Sequence, residues 1–346
     1  MLSLNYAILH IVTQPTAPTR ESWVIKECMR LCRHFGISYW VDEAANMWVN
    51  ASGPHDLKNV KIVLVTHVDH PGIALDSFHK EKDTMIGVGR WLGGGPKHLK
   101  GAAVHVFSDS KYRVTVGGII VDDQLVGDDR RVKVELLGLT PSDDTDNVLK
   151  SFGPWGAHLT YPEVPSGIAD AGENWITKSA DDLIGVAAMI SAFKDIKDKK
   201  MVGLLSTSEE IGLRGASAEA KRHLVDPSKV SIISVDFTRA VDDLARGKGP
   251  IVRYRDKHTK FDDKVIHLIE EAASQLPSSF QKQHHSKGTT DSTAFKRHNF
   301  KVGGIAVVVD NYHNESLSGK PAPEIVSMRD VEALVQLLFS IQHLIQ

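Results

Sequence analysis

The chain lacks several features that would place it in a class at once. It has only two cysteines among 346 residues. Cys28 and Cys32 lie one helical turn apart in a predicted helix, so nothing implies an oxidising compartment. The formal net charge is −2 at pH 7, and Lys and Arg are not concentrated in any block. This charge pattern argues against a nucleic-acid partner.

Long apolar runs are missing as well. The longest uncharged apolar stretch, 184–193, is much shorter than the roughly 20 residues that span a bilayer. We therefore expect a core helix there and no membrane partner. Residues 1–13 have no basic region and no cleavage-like tail, so the sequence predicts no signal peptide. A cytoplasmic location is the simplest expectation.

Strand and helix patterns alternate at both ends of the chain. Apolar strand patterns separate the predicted helices, which are 20–35, 182–195, 262–275 and 329–344. Such alternation predicts an α/β fold in which helices cover both faces of a sheet. The length is sufficient for one large core and a smaller second domain.

The middle of the chain has a different pattern. Residues 104–121 and 132–137 are rich in β-branched residues and have no helical period. We interpret Gly117-Gly118 and Asp122-Asp123 as breaks between short strands. The sequence therefore predicts a small β domain, inserted for oligomerisation or as a lid. The predicted boundaries are 75–165 for the insert and 1–74 with 166–346 for the catalytic domain.

Two adjacent carboxylates are the most informative feature that is present. An apolar run at 201–205 predicts a buried strand, and Glu209 and Glu210 follow it. Open α/β sheets place their chemistry at the carboxyl ends of strands. One carboxylate can hold a divalent metal while the other carries protons, as a metal-assisted hydrolase requires. Taken alone, the pair fits a solvated acidic turn before a helix equally well.

Three further predicted strands end close to a candidate ligand. These are 60–66 with His67 and Asp69, 230–235 with Asp236, and 302–309 with His313. Strand alternation puts His67 and Asp69 on one side, which suits a metal-bound imidazole with a carboxylate partner. We expect these side chains to converge on one edge of the sheet.

Asp181 and Asp182 precede the apolar helix predicted at 182–195. Capping of a helix N-terminus explains one Asp well and two poorly. An Asp that bridges two metals has both oxygens occupied, and a second carboxylate beside it can orient a neighbouring ligand.

The residues in this order resemble a known family, the co-catalytic dizinc aminopeptidases. The segments 209–216, 246–250 and 288–291 narrow the resemblance to the tetrahedral (TET) aminopeptidases, which include glutamyl and deblocking aminopeptidases. The chain departs from the family pattern at Leu183, where relatives usually have Arg, and at Ser208, where they usually have Gln. The segment 75–165 matches only loosely.

The resemblance implies a fold and a set of residue roles. The fold would be a phosphorylase/hydrolase-like mixed sheet sandwiched by helices, with a β-barrel-like insert. Glu209 would be the general base, with Asp69 as a second catalytic carboxylate, and Asp291 would contact substrate. Two divalent metal ions would be held by His67 and Asp236, by Glu210 and His313, and by Asp181 as the bridge.

The resemblance also implies cofactors, substrates and partners. His, Asp and Glu without Cys suit a hydrolytic Zn²⁺ pair, with Co²⁺ or Mn²⁺ as alternatives. The substrates would be peptides, and the Asp181-Asp182 peptide bond would be cis. The chain would form a homo-oligomer, a dimer that relatives assemble into a tetrahedral dodecamer. Apolar faces on the insert, such as those of Val104 and Val106, would need a partner.

Other functions remain open on the sequence. A dizinc carboxypeptidase or amide deacylase of the same broad fold would use a similar bridging Asp and Glu pair, although the segment 211–215 favours an aminopeptidase. A non-catalytic binding relative would be expected to lose the base or a ligand, and here all are present. The glycines of 87–95 lack the strand-then-helix context of a phosphate loop. No nucleophile-elbow sequence indicates a serine hydrolase.

Overall fold

A computed structural model describes residues 2–139, 144–241 and 243–345. It contains a mixed sheet of eleven strands flanked by helices and a closed barrel of six strands. The predicted α/β fold with a barrel-like insert is therefore confirmed. The four helices predicted from the sequence are present, with ends within two residues of those expected.

The helices and strands follow the chain in this order. The helices are α1 Leu2–Val12, α2 Ser22–Phe35, α3 Thr145–Ser151, α4 Leu183–Phe193, α5 Arg214–Arg222, α6 Asp263–Ser274, α7 Asp291–Lys296 and α8 Met328–Leu344. The sheet strands are β1 Tyr39–Val41, β2 Met47–Val49, β3 Ile62–His67, β10 Ile168–Asp170, β11 Asn174–Thr177, β12 Met201–Ser206, β13 Ser231–Arg239, β14 Ile251–Arg253, β15 Gln281–Gln283, β16 Lys301–Asp310 and β17 Glu324–Ser327. The barrel strands are β4 Gly72–Glu81, β5 Thr84–Leu92, β6 Ala103–Ser108, β7 Thr115–Val126, β8 Asp129–Leu136 and β9 Trp155–Leu159.

Four neighbouring strands in the sheet are parallel, in the order β12, β3, β13 and β16. They read as continuous apolar runs because helices cover both of their faces. On β12, Gly203 packs against Met189 of α4, whereas Ser206 bonds to Asp291 of α7. Residues of opposite parity on a strand face opposite sides of the sheet. The carboxyl ends of all four strands therefore meet at one edge, between two helical layers.

Asp236 lies inside a strand, contrary to the prediction that a strand ends there. β13 continues to Arg239 and stays paired with β16 along its whole length. The sequence signal stops at Val235 because Asp236 is the first polar residue after the apolar run, but backbone pairing does not depend on side-chain polarity.

The barrel closes in the strand order β4, β5, β8, β7, β6, β9. The expectation that Gly117-Gly118 and Asp122-Asp123 separate short strands is wrong, because both pairs lie within β7. The pairing of β7 with β8 instead shifts register between Ile120 and Asp122. Such a bulge bends a strand without ending it.

Val104 and Val106 are also placed differently from the prediction. Both are buried in the barrel's own core, so they need no partner subunit. Closure of the barrel removes the sheet edges that were expected to seek one. The exposed apolar side chains on the barrel are others, namely Ile119, Leu125, Val126 and Leu137.

Two remaining expectations concern the cysteines and the membrane. Cys28 and Cys32 are buried free thiols in α2. In the part of the chain that the structure describes, every helix is too short or too polar to cross a bilayer.

Candidate metal centre

The predicted ligands lie together at the carboxyl edge of the parallel strands. Asp181 lies between two imidazoles and offers one oxygen to each. His67 Nε2 is 3.3 Å from Asp181 Oδ1, and His313 Nε2 is 3.2 Å from Asp181 Oδ2. His67 Nε2 is also 3.9 Å from Asp236 Oδ1, and His313 Nε2 is 3.0 Å from Glu210 Oε1.

The arrangement fits a divalent cation. His67, Asp181 and Glu210 each offer a ligand atom, and the three atoms lie within 4.8 Å of one another. Asp181 Oδ1 and Glu210 Oε1 are buried and make no well-directed hydrogen bond within the described residues. Buried carboxylate oxygens that face imidazole nitrogens without a well-directed hydrogen bond are costly, and a cation between them would remove that cost. Nitrogen and oxygen donors without sulfur suit Zn²⁺, Co²⁺ or Mn²⁺.

The two histidines hold protons strongly when no cation is bound. Burial lowers the pKa of His313, but Glu210 and Asp181 outweigh it and raise the pKa to about 10. Burial likewise opposes the charged form of His67, yet Asp181, Asp236 and Asp69 raise its pKa well above the usual range. A metal must displace these protons, so metal binding should release them to solution.

Glu209 lines the same cavity but is not one of the candidate metal ligands. The cavity has a volume of about 360 Å³, and its walls include Glu209, His67, Asp236 and His313. Burial raises the pKa of Glu209 well above its usual range, and the nearby carboxylates of Asp291 and Glu210 add to the effect. A raised pKa makes the Glu209 carboxylate a stronger base, which favours its taking up a proton.

The Asp69 carboxylate lies beside His67, where the sequence predicted a partner for that imidazole, but its hydrogen bonds go elsewhere. His67 Nδ1 bonds to the backbone carbonyl of Asp69 at 3.0 Å, while the carboxylate is 3.6 Å away. That carboxylate instead accepts the backbone N–H groups of Glu209 at 2.9 Å and Glu210 at 3.1 Å. Asp69 therefore fixes the turn that carries both glutamates.

Asp182 fixes the end of β3. Its Oδ2 accepts a hydrogen bond from the Thr66 hydroxyl and one from the His67 backbone N–H at 3.2 Å. The peptide bond between Asp181 and Asp182 is cis, which confirms that expectation.

Asp291 is buried at the start of α7, where it was expected to contact substrate. It is only 3% exposed, and its Oδ2 accepts a hydrogen bond from the Ser206 hydroxyl. Burial raises the pKa of Asp291 to about 7. The residue faces the β12 strand end rather than the open cavity, so a substrate contact stays a prediction.

Glu324 organises the site, although no pattern in the sequence points to it. Its carboxylate accepts the backbone N–H groups of Ala180 at 2.5 Å, Asp181 at 3.1 Å and His313 at 2.8 Å. Burial, reinforced by Asp181, raises the pKa of Glu324 to about 8. One side chain from β17 thus forms hydrogen bonds to two loops that are remote from each other in the sequence.

Arg253 is a second residue that the sequence did not reveal. Its guanidinium donates to Asp236 Oδ2 at 2.6 Å and to the Phe237 carbonyl at 3.0 Å. Asp236 Oδ1 faces His67 across 3.9 Å. Arg253 therefore fixes one oxygen of Asp236 and leaves the other directed towards the histidine.

Comparisons with known proteins identify the family of the chain. The sequence model for the M42 glutamyl aminopeptidase family matches residues 145–337, more than half of the chain. Curated protein sequences gave no match. The match covers Asp181, Glu209, Glu210, Asp236 and His313, and begins after His67 and Asp69.

Solved structures share the whole fold. PhTET1-12s, a dodecamer, is 21% identical with a TM-score of 0.78, over 99% of this chain and 98% of that chain. The Pyrococcus horikoshii TET1 peptidase, which can assemble into a tetrahedron or a large octahedral shell, is 20% identical with a TM-score of 0.77, over 98% and 99%. An M18 aminopeptidase from Thermotoga maritima is 14% identical with a TM-score of 0.74, over 99% and 95%.

The sheet with its inserted barrel, the His and carboxylate cluster and the family match together define a peptidase with a possible metal-binding group. The chain belongs to the M42 glutamyl aminopeptidase family. The resemblance to TET aminopeptidases that was drawn from its sequence is confirmed.

Proposed function

We propose that the protein is an aminopeptidase that depends on two divalent metal ions and removes N-terminal residues from peptides. The observation that carries the proposal is the position of Asp181, whose two oxygens face His67 Nε2 at 3.3 Å and His313 Nε2 at 3.2 Å. A carboxylate so placed can serve two cations at once.

In this proposal His67 and Asp236 hold one ion, Glu210 and His313 hold the other, and Asp181 bridges them. Zn²⁺ is the expected ion, with Co²⁺ or Mn²⁺ as alternatives, because His and carboxylate sites accept several metals. A bound pair would supply Lewis-acid chemistry, lowering the pKa of water and polarising the scissile carbonyl.

Glu209 is the proposed general base. It shares the cavity with the candidate ligands, and its backbone is fixed by Asp69. Its carboxylate takes the proton of the attacking water and delivers it to the departing amine. Asp69 acts by holding the Glu209-Glu210 turn, and Asp291 is kept as a candidate substrate contact beside the β12 strand end.

The preference for an aminopeptidase rests on the family match and on the segment 211–215. A carboxypeptidase or amide deacylase remains the second candidate within the same fold, because it would need the same bridging Asp and Glu pair. A non-catalytic relative is the third. All the residues assigned to the ligand and base roles are present in this chain.

A homo-oligomer is proposed as the working form, with residues 75–165 as an inserted unit that takes part in assembly. Support comes from the dodecameric and tetrahedral neighbours. A second support is the set of exposed apolar side chains on the barrel, Ile119, Leu125, Val126 and Leu137, because exposed apolar patches mark interaction surfaces. Light scattering should give a dimer or a larger assembly, and a mass near the 38.0 kDa of one chain would contradict this.

One panel of substrates separates the candidate functions. Purified protein with added Zn²⁺ or Co²⁺ would be incubated with amino-acid p-nitroanilides, N-acetylated amino acids and free peptides. We expect cleavage of the anilides and of peptides from the amino end, loss of activity with a chelator, and recovery on adding metal. Deacetylation or release of C-terminal residues would replace the proposal, and turnover after verified metal removal would end it.

A further inference from the structure

A second cavity, of about 200 Å³, lies where the barrel meets the sheet. It shares no lining residue with the cavity that contains the candidate ligands. Its walls come from β6, β7 and β9 of the barrel, from the segment after α1, and from the chain between 164 and 178. The space is ample for a small ligand, since one water needs only about 10–15 Å³ of such volume.

The lining of this cavity is rich in basic and hydroxyl side chains, and burial lowers the pKa of both histidines, which favours their neutral forms. The basic members are Lys178, His158, His105 and Arg113, and the hydroxyl members are Thr13, Thr115, Thr160 and Ser166. Within the described part of the chain, the lining contains no Asp or Glu. Such a surface disfavours cations and favours an anion that can accept several hydrogen bonds.

Lys178 forms the floor and lacks a close counter-charge. It is only 4% exposed, and among the described residues no carboxylate lies within 4.0 Å of its ammonium. Its Nζ donates to the Ser179 hydroxyl at 3.1 Å, which leaves two N–H donors for another acceptor. Burial lowers the pKa of Lys178 to about 7, and Glu324, from a distance, offsets this only in part. A buried, uncompensated ammonium is costly, and a bound anion would remove that cost.

The walls and the rim complete a binding site. His158 is buried and donates its Nδ1–H to the Leu159 carbonyl at 2.9 Å, so in the neutral ring Nε2 is an acceptor, which can take the O–H of a monoprotonated phosphate. The ring of His105 lies 5.6 Å from that of His158. Arg113 and Ser166 are exposed, which gives a path from solvent to the floor. The polar groups thus surround the space from several sides.

We propose that this cavity binds a small tetrahedral oxyanion, namely phosphate, either free or as the phosphoryl group of a small ester. A tetrahedral oxyanion can accept donors from several directions at once, and Arg and Lys are the side chains that bind phosphate in proteins. A planar carboxylate has only two oxygens and no O–H, and would leave part of this ring of polar groups unused.

The cavity is separate from the candidate metal centre, but one of its lining residues contacts the loop that carries the candidate ligand His313. The Lys178 carbonyl accepts a hydrogen bond from Asn314 Nδ2 at 3.0 Å, and Asn314 follows the candidate ligand His313. Substitution of Lys178 can therefore disturb the metal centre as well as the cavity. Arg113 is exposed and remote from those contacts, which makes Arg113→Gln the cleaner variant.

Calorimetric titration of the metal-loaded protein with inorganic phosphate at constant ionic strength tests the proposal. We expect saturable binding of one phosphate per chain at this cavity. Arg113→Gln should weaken it about tenfold, the usual effect of losing one charge-assisted hydrogen bond, and Lys178→Met should abolish it. Arg131→Gln is the matched control, because Arg131 is an exposed arginine on β8 of the same barrel, outside the lining.

The remaining arms separate sources and artefacts. If glycerol phosphate binds more tightly than inorganic phosphate, the natural ligand is a phosphate ester; if it binds more weakly, the ligand is the free ion. Either result supports a phosphate site in this cavity. Acetate binding as tightly as phosphate would overturn the tetrahedral assignment. Equal phosphate affinity in wild type, Arg113→Gln and Arg131→Gln would place the ion elsewhere, for example on the metals, and would overturn the proposal. The comparison of phosphate affinity among these three proteins tests the proposal even if Lys178→Met fails to fold.

Discussion

The Asp69 carboxylate positions Glu209 by accepting a hydrogen bond from the backbone N–H of Glu209, not by contacting the Glu209 side chain. Asp69 Oδ1 accepts the Glu209 N–H at 2.9 Å, and Asp69 Oδ2 accepts the Glu210 N–H at 3.1 Å. Both acceptors of one carboxylate are thus used on consecutive residues. The proposed base and a proposed ligand therefore share a single anchor just after the end of the neighbouring strand β3.

Asp69→Asn should damage the site because an amide has only one acceptor oxygen. One backbone N–H of the turn would then face the amide N–H₂ group, so Glu209 or Glu210 would shift. We expect kcat to fall about 10- to 100-fold, the usual effect of losing a group that orients metal ligands. Kinetics and metal content would be measured on the same sample.

Asp170→Asn is a suitable control for this change. Asp170 also accepts a backbone hydrogen bond, from Gly172 at 2.8 Å, but it is exposed and lies outside the cavity lining. It should keep full activity. If Asp69→Asn were as active as the control, the anchoring role would be wrong.

Glu209→Gln tests the proposed base. The amide keeps the shape of the side chain but cannot accept a proton, so kcat should fall by a factor of about 10² to 10⁴. Both metals should remain bound, because Glu209 is adjacent to the ligand set without belonging to it. Glu210→Gln should instead lower metal content. Full activity of the Glu209 variant would remove that residue from the mechanism.

The sheet edge could be predicted because its signals are local. Apolar runs mark β3, β12 and β16, and the chemistry follows each run within a few residues. Parallel strands share a carboxyl edge, so adjacency in space follows from adjacency in the sheet. The apolar run before Asp236 predicted β13 in the same way, but it did not predict that this strand continues to Arg239.

Contacts between distant segments could not be predicted in this way. Glu324 bonds to the backbone of Ala180, Asp181 and His313, and no periodicity links those positions. Arg253 meets Asp236 only because β14 pairs with β16. The length of β7 was missed because Gly and Asp pairs usually end strands, whereas barrel closure stabilises them within one.

Gly94 offers a test of how the barrel contributes to the metal centre. A Cβ at Gly94 would lie 2.1 Å from His313 Nδ1, far inside van der Waals contact. Gly94→Ala must therefore displace either the imidazole ring of His313 or the loop after β5. We expect at least a tenfold loss of activity, weaker metal retention, and destabilisation of about 1–3 kcal/mol as in other overpacked sites.

Gly117→Ala is the matched control in the same barrel. There the nearest atom to an added Cβ would be 3.8 Å away, an ordinary contact, and the position is within β7. Activity and metal content should stay at wild-type values. Equal behaviour of the two variants would mean that the loop after β5 yields without moving His313.

Glu21 makes stability depend on pH. Its side chain is 7% exposed, and Oε1 accepts hydrogen bonds from the Thr19 N–H at 2.8 Å and from the Ser208 N–H at 3.0 Å. Burial, reinforced by Asp69, raises the pKa of Glu21 from 4.5 to about 8. Between these values the folded state binds more protons than the unfolded state, so the free energy of unfolding falls as pH rises.

Glu21→Gln removes this titration while keeping an acceptor oxygen for the two N–H groups. The free energy of unfolding of the variant, relative to that of wild type, should therefore rise by about 4 kcal/mol from pH 5 to pH 8.5. Urea unfolding at both pH values measures the difference. Glu43→Gln, at an exposed position, should follow the wild-type pH dependence. If the Glu21 and Glu43 variants both ran parallel to wild type, Glu21 would be charged in the folded protein at neutral pH, and its contact with Ser208 would be that of a carboxylate.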